Sequence, residues 1–131
     1  MDEVVEELKS GGFKGEIISD LNTLDFYSHD ASMFEIRPKL AIKPVNSKDV
    51  QIAVKTVSKL KNKNEYLSLT ARSAGTCMSG GAINDSIIID FLEHFKKIEK
   101  VNSSSAQAEP GVYYRDFEKQ TLKAGGLMPS Y

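Results

Sequence analysis

A glycine-rich stretch at residues 70–82, with the sequence TARSAGTCMSGGA, limits what this chain can fold into more than any other segment. A short apolar run at residues 66–69 precedes it, and a stronger run, Ile87-Ile88-Ile89, follows it. Apolar runs of this length on both sides of a glycine-rich segment are typical of strands. The sequence therefore predicts a loop held between two strands.

The residue types of this loop favour binding of an anion. Its glycines allow the backbone to turn where a Cβ would clash, and they let several N–H groups converge on one point. Small hydroxyl side chains add hydrogen-bond donors with little bulk, and Arg72 adds a planar positive group. A diphosphate, with its many acceptor oxygens, suits such a set of donors. The hydroxyl side chains are Ser73, Thr76 and Ser79.

Other phosphate-binding loops fit the sequence less well. Gly75 and Gly80 have the glycine spacing of a Walker loop, but Gly81-Ala82 stand where that loop has lysine and serine or threonine. The dinucleotide fingerprint G-x-G-x-x-G and the kinase glycine loop both require a different spacing. From residue types alone, an ordinary surface loop rich in glycine and serine stays open as an alternative.

The composition narrows the class of protein. A chain of 131 residues is long enough for one domain with a core. The net charge of −1 gives no electrostatic basis for binding nucleic acid or an anionic membrane. One cysteine and two histidines predict neither a disulfide framework nor a metal site. The acidic start and the lack of a long apolar run predict a cytoplasmic protein with no transmembrane segment.

The pattern of apolar residues predicts a mixed α+β domain with small sheets and helices. The clearest helix has Ser47 as its predicted N-cap and places apolar residues on one face: Val50, Ala53, Val54, Val57 and Leu60. Asp90 closes an apolar run and is predicted to be a loop hydrogen-bonding group. The predicted elements are helices at residues 2–9, 47–60 and 113–123, a turn or short helix after Asp20, strands at residues 34–37, 40–43, 67–70 and 87–91, and a hairpin at residues 97–109. Residues 16–18 are a brief apolar run to which no element is assigned.

Four segments in this order resemble the FAD-binding domain of the p-cresol methylhydroxylase and vanillyl-alcohol oxidase type, whose members include glycolate oxidase subunits and D-lactate dehydrogenases. A strand, a proline and a helix open the resemblance at residues 40–50. Residues 72–80 are similar to the family's pyrophosphate loop, Arg-Gly-x-Gly-Thr-x-x-Ser-Gly. The third segment is the strand at residues 87–90 with residues 95–98. The fourth is Ala-Glu-Pro-Gly-Val at residues 108–112.

The resemblance implies a domain organisation, a cofactor and a function. Residues 1–36 would be an N-terminal extension, and residues 37–131 the N-terminal part of an FAD-binding domain. The whole protein would be a flavin-dependent oxidoreductase acting on a 2-hydroxy acid such as D-lactate or glycolate. The residues implied to bind FAD are Arg72, Ser73, Ala74, Gly75, Thr76, Cys77, Met78, Ser79, Gly80, Gly81, Pro110, Gly111, Val112, Pro129 and Ser130.

This sequence departs from the family pattern in three ways, and each departure leads to an expectation. Ser73 stands where glycine is commoner, so its φ is expected to be negative. Thr76 stands where some relatives attach FAD through a histidine, so FAD is expected to bind non-covalently, and Cys77 is expected to make a packing or loop contact. The residues that would bind the small-molecule substrate lie beyond Tyr131 in the family pattern. The isolated chain is therefore expected to be inactive, and a non-catalytic nucleotide-binding or accessory module stays open.

Overall fold

The computed structural model describes residues 1–128 and has the predicted mixed α+β class. No helix in this part of the chain is both long enough and apolar enough to cross a membrane. The elements in chain order are α1 (Asp2–Ser10), β1 (Glu16–Ile18), α2 (Leu21–Phe26), β2 (Leu40–Lys43), α3 (Ser47–Lys61), β3 (Leu69–Arg72), β4 (Ile87–Asp90), β5 (Ile98–Glu99), β6 (Gln107–Ala108) and α4 (Tyr114–Lys123).

The main sheet has the strand order β1-β2-β4-β3. β1 is antiparallel to β2, whereas β2, β4 and β3 are mutually parallel. In the pairing of β3 with β4, Leu69 lies opposite Ile87 and Arg72 lies opposite Asp90. The glycine-rich stretch therefore joins two neighbouring parallel strands, leaving the carboxyl end of β3 and returning to the amino end of β4. All four residues of β4 are buried, as expected for a central strand.

Alternating side chains of the sheet divide the core into two apolar clusters. Helices α1 and α3 cover one face of the sheet, and α2 covers the other. The segment predicted as an N-terminal extension, residues 1–36, thus contributes strand β1 to this sheet and helices α1 and α2 to its two faces. The first cluster contains Val4, Leu8, Leu40, Ile42, Ala53, Val57, Leu60, Leu67, Ile87 and Ile89, and the second contains Ile18, Leu24, Tyr27, Ala41 and Ile88.

The prediction of a strand at residues 34–37 is wrong. This segment forms only one isolated bridge, between Glu35 and His29, and its side chains are exposed. The Ile36 N–H donates to the carbonyl of Ser28 at 2.9 Å, so the segment folds back on the preceding loop. Strand β2 already pairs with β1 on one side and β4 on the other, so residues 34–37 have no edge of β2 to join. Pro38 also has no backbone N–H to donate to a neighbouring strand. A sequence pattern of alternation cannot show which segment reaches that edge.

Most predicted boundaries differ by a residue or two from those of the structure, and the differences at α3 and β3 are the ones with a clear reason or a consequence for the site. The N-cap of α3 is Asn46 and not Ser47: its backbone is extended and its side chain accepts from the Asp49 N–H at 3.0 Å. Both residue types cap helices well, so the sequence did not separate two adjacent candidates. The strand predicted at residues 67–70 lies two residues later, as β3, and this shift places Arg72 at the end of a strand.

Candidate functional site

The glycine-rich loop adopts the conformation that its glycines allow. Gly75 and Gly80 have φ angles of 69° and 80°, in the left-handed region that side chains disfavour. Lys100 is the one non-glycine residue among residues 1–128 with a positive φ. Ser73 therefore has the negative φ expected of a serine in place of glycine.

The backbone N–H groups at the start of this loop are available for a ligand. Within the part of the chain that the structure describes, the amides of residues 73–78 donate no hydrogen bond. Ala74, Thr76 and Met78 are exposed, and the residues between them are partly exposed. Unpaired amides in a partly exposed loop with left-handed glycines are a feature of backbone sites that bind anions.

Cys77 makes the loop contact expected of it. Its Sγ accepts from the Gly81 N–H at 3.3 Å and lies 3.3 Å from the Ser79 Oγ. Hydrogen bonds from Ser79, and then from the Gly81 amide, hold the pKa of the Cys77 thiol below its ordinary value. The thiol thus ties the second half of the loop together, and it uses the Gly81 amide in doing so.

Arg72 lies beneath the loop and is only 6% exposed. Its Nη1 donates to the carbonyl oxygen of Ala82 at 3.3 Å, and its guanidinium carbon lies 5.7 Å and 5.6 Å from the ring centroids of Phe26 and Tyr27. A Cβ at Gly75 would lie 2.5 Å from Nη2. The guanidinium is therefore enclosed by α2 and by the first turn of the loop, and its direct contact with a diphosphate stays a prediction.

A buried hydrogen bond lies beside Arg72. The Tyr27 hydroxyl donates to Asp90 Oδ2 at 2.9 Å, and Asp90 Oδ1 accepts from the Leu92 N–H at 2.7 Å. The second bond is the loop hydrogen bond predicted for Asp90, whereas no pattern in the sequence indicated the first. Burial, and then the Asp90 carboxylate, raise the pKa of Tyr27 far above its ordinary value. Tyr27 thus remains a hydrogen-bond donor to Asp90 at neutral pH.

An open groove of about 710 Å³ separates the loop from the start of α4. The loop forms one wall of the groove, and the first turns of α4 with the residue before them form the other. The N-cap residue of α4, Tyr113, makes no side-chain capping hydrogen bond. An anion in the groove would therefore face loop amides on one side and a helix N-terminus on the other. The groove is lined by Ser73, Ala74, Thr76, Val112, Tyr113, Tyr114, Arg115, Asp116 and Lys119.

The second predicted FAD-binding segment has its own structural constraints. Val112 lines the groove, but Gly111 is buried and donates its N–H to the Phe95 carbonyl at 2.8 Å. A Cβ at Gly111 would lie 2.2 Å from the carbonyl oxygen of Phe91 and 2.6 Å from that of Phe95. Close packing of two backbone segments therefore requires this glycine. Pro110 is exposed, and Pro129 and Ser130 lie outside the described residues.

Sequence reasoning missed two groups around this groove. The wall formed by Tyr113, Arg115 and Lys119 was predicted only as part of a helix, although a helix directly after a glycine-containing turn was a signal that its N-terminus could face a ligand. Asp30 was missed entirely, and it accepts from the Ala82 N–H at 3.4 Å. No local pattern in the sequence links residues so far apart.

Comparison with known proteins identifies similar sequences. A family model described as an FAD binding domain matches residues 38–131. The D-2-hydroxyglutarate dehydrogenase of Pseudomonas putida is 28% identical over 100 residues, which cover 76% of this chain and 10% of that protein. The enzyme of the same name from Escherichia coli K12 is 29% identical over 126 residues, covering 93% of this chain and 12% of that protein. The chain thus spans about a tenth of the length of these curated relatives.

Solved structures share the fold. An alkyldihydroxyacetonephosphate synthase superposes with a TM-score of 0.73 at 18% identity, covering 94% of this chain and 25% of its own. A p-cresol methylhydroxylase with substrate bound superposes with a TM-score of 0.70 at 19% identity, covering 92% of this chain and 25% of its own. These similarities confirm the predicted fold of the p-cresol methylhydroxylase type.

Proposed function

Since this chain belongs to the FAD binding domain family, we propose that its residues 72–81 form the cradle for the diphosphate of FAD, in a flavin-dependent oxidoreductase that acts on a 2-hydroxy acid. The observation that carries this proposal is the run of amides at residues 73–78 that have no hydrogen-bond partner among residues 1–128. The diphosphate has many acceptor oxygens and negative charge, and unpaired N–H groups in a loop with two left-handed glycines match both.

The residues present fit the cofactor on chemical grounds. Ser73 and Thr76 line the groove and add hydroxyl donors to the amides of the loop. Across the groove, the N-terminus of α4 carries a partial positive charge and Arg115 adds a full one, whereas the charge of Lys119 is paired with Asp116 at 2.9 Å. Bound FAD supplies the redox chemistry, and the residues of this chain bind and orient it. We assign no catalytic acid or base to the described residues.

We further propose that FAD binds non-covalently. The position at which some relatives carry an attaching histidine holds Thr76, which is exposed and lines the groove. A threonine hydroxyl can donate a hydrogen bond to phosphate, but it is a weak nucleophile at its free pKa. Acid precipitation of the FAD-loaded chain tests this proposal: we expect all of the flavin in the supernatant, and flavin that stays in the precipitated protein would contradict it.

The substrate class is proposed from the relatives. Two D-2-hydroxyglutarate dehydrogenases match most of this chain, and D-2-hydroxyglutarate, D-lactate and glycolate are all 2-hydroxy acids. Because the chain spans about a tenth of these relatives, the substrate and the turnover are properties of the whole protein. Anaerobic addition of each acid to the flavin-loaded protein separates the alternatives. Bleaching of the flavin supports an oxidoreductase, whereas binding without bleaching by any of the three favours a non-catalytic module.

FAD binding by the loop is tested with a matched pair of glycine variants. Gly80 and Gly12 have nearly the same φ, 80° and 82°, so a valine imposes similar backbone strain at either position. Gly80 lies in the loop, where an added Cβ would lie 3.1 Å from the Phe34 ring, whereas an added Cβ at Gly12, after α1, would meet no described residue beyond its chain neighbours within 4 Å. We expect Gly80→Val to abolish retention of FAD on gel filtration and Gly12→Val to keep it. Equal retention by the two variants would refute the assignment of the loop.

A further inference from the structure

The last residue of the loop is held by two charged side chains from different parts of the chain. The carbonyl oxygen of Ala82 accepts from Arg72 Nη1 at 3.3 Å, and the Ala82 N–H donates to Asp30 Oδ2 at 3.4 Å. Ala82 is only 8% exposed, so water has little access to its backbone groups. We use the term loop clamp for Asp30, Arg72 and the backbone of Ala82.

Both side chains of the loop clamp are fixed by their surroundings. Arg72 ends β3, and its guanidinium lies against the rings of Phe26 and Tyr27. Asp30 follows α2, and its Oδ1 accepts from the Ser32 N–H at 2.9 Å. That bond, with smaller contributions from the Ala82 amide and Arg72, holds the pKa of Asp30 below its ordinary value. The acceptor for the Ala82 N–H is therefore a carboxylate at neutral pH.

We propose that Asp30 and Arg72 are positioning residues for the diphosphate: they close the loop at Ala82 and thereby hold the amides of residues 73–78 in a binding arrangement. This inference rests on the proposed function of the loop. β3 anchors the loop at one end, and the loop clamp anchors it at the other. Without the clamp, the loop would become ordered only when the ligand binds. The entropy cost of that ordering would then be subtracted from the binding free energy, and affinity would fall.

The charge of Asp30 makes the proposal sharply testable, because electrostatics and positioning predict opposite signs. A carboxylate beside an anion site repels the ligand, so its removal would by itself strengthen FAD binding. If Asp30 acts by holding Ala82, its removal weakens binding instead. Asn at this position keeps an oxygen acceptor for the Ala82 N–H and removes the charge. Asp30→Ala and Asp30→Asn therefore separate the two effects.

The experiment measures the FAD dissociation constant of the whole 131-residue chain and its variants by fluorescence titration. We expect Asp30→Ala to raise it about fivefold, because the acceptor for the Ala82 N–H is lost, and Asp30→Asn to stay within about twofold of the unmodified chain, because its amide oxygen keeps that acceptor. Asp85→Ala removes the same charge from an exposed residue of the same connection and should have no effect. Unchanged or tighter binding by Asp30→Ala, or equal weakening by Asp30→Asn, would overturn the proposal.

Amide hydrogen exchange without flavin provides a readout that does not depend on the proposed function. We expect Asp30→Ala to speed exchange at Ala82 and Gly81 about tenfold or more, and Asp30→Asn to restore slow exchange. An unmodified chain that binds no FAD would refute FAD binding by the chain itself, while the exchange rates would still test whether Asp30 holds the loop. Exchange that is the same in Asp30→Ala and in the unmodified chain would overturn the clamp.

Discussion

The buried hydrogen bond between Tyr27 and Asp90 should contribute measurably to stability, and Tyr27→Phe tests it. The exposed fractions are 2% for Tyr27 and 6% for Asp90, and the oxygen atoms lie 2.9 Å apart. The substitution removes one oxygen and keeps the ring, so it leaves the carboxylate buried with one donor fewer. A hydrogen bond to a charged group contributes about 1.5–3 kcal/mol, and we expect Tyr27→Phe to lower the free energy of unfolding by about 2 kcal/mol.

A double-mutant cycle isolates this bond from other effects of the substitutions. Urea unfolding would be measured for the unmodified chain, Tyr27→Phe, Asp90→Ala and the double variant. Asp90→Ala also removes the acceptor for the Leu92 N–H, but that loss cancels in the cycle. We expect a coupling free energy of at least about 1 kcal/mol. Additivity of the two substitutions within about 0.5 kcal/mol would refute the assigned bond.

The same bond predicts how stability depends on pH. Burial, and then Asp90, raise the pKa of Tyr27 in the folded chain above the value of about 10 found in unfolded chains. The folded state keeps this proton where the unfolded state releases it, so the contribution is complete below about pH 10 and falls as the pH rises further. Between about pH 9 and about pH 11, the unmodified chain should lose more stability than Tyr27→Phe does. Parallel curves would contradict the linkage.

Three further tests of the fold use denaturant unfolding of five variants. Asn46→Ala should lower the free energy of unfolding by about 1 kcal/mol and Ser47→Ala by only a few tenths, because Asn46 caps α3. A larger loss for Ser47→Ala would indicate that Ser47 is the N-cap, as predicted from the sequence. Gly111→Ala should cost more than about 2 kcal/mol, since its Cβ would overlap two backbone carbonyls, whereas Gly126→Ala should cost clearly less; equal costs would contradict this packing. Ile88→Ala, in the central strand, should cost about 2–5 kcal/mol, and a loss below about 1 kcal/mol would place Ile88 outside the core.

Local patterns in the sequence predicted most of the elements but not their edges. Helix α3 was recognisable because its apolar residues repeat with helical spacing from Val50 to Leu60, and that spacing persists whatever the rest of the chain does. The glycine-rich loop was recognisable because glycines and hydroxyl residues stand between two apolar runs. The choice between Asn46 and Ser47, and the end of β3 at Arg72, depend on geometry that adjacent residue types do not separate.

Contacts between distant segments explain what the sequence did not reveal about the site. In the sequence, Arg72 stands at the edge of a glycine-rich loop and resembles an exposed phosphate ligand. In the structure it is enclosed by Phe26 and Tyr27, which reach it only because α2 packs on the face of the sheet that carries Ala41. Asp30 reaches Ala82 through the same packing. Tertiary contacts of this kind leave no periodic trace in one sequence.

The connection from β3 to β4 has two halves with different hydrogen bonding, and this division suits it to bind an anion. Its return half is tied to the flank of β3: the Asn84 Nδ2 donates to Thr70 Oγ1 at 2.7 Å, and the Ser68 N–H donates to Ser86 Oγ at 3.0 Å. Its first half leaves the amides of residues 73–78 unpaired within the described chain. A helix in the same connection would have used most of these amides internally. Under the proposed role of the loop clamp, these donors are ordered on folding, and binding of a ligand does not have to supply that entropy.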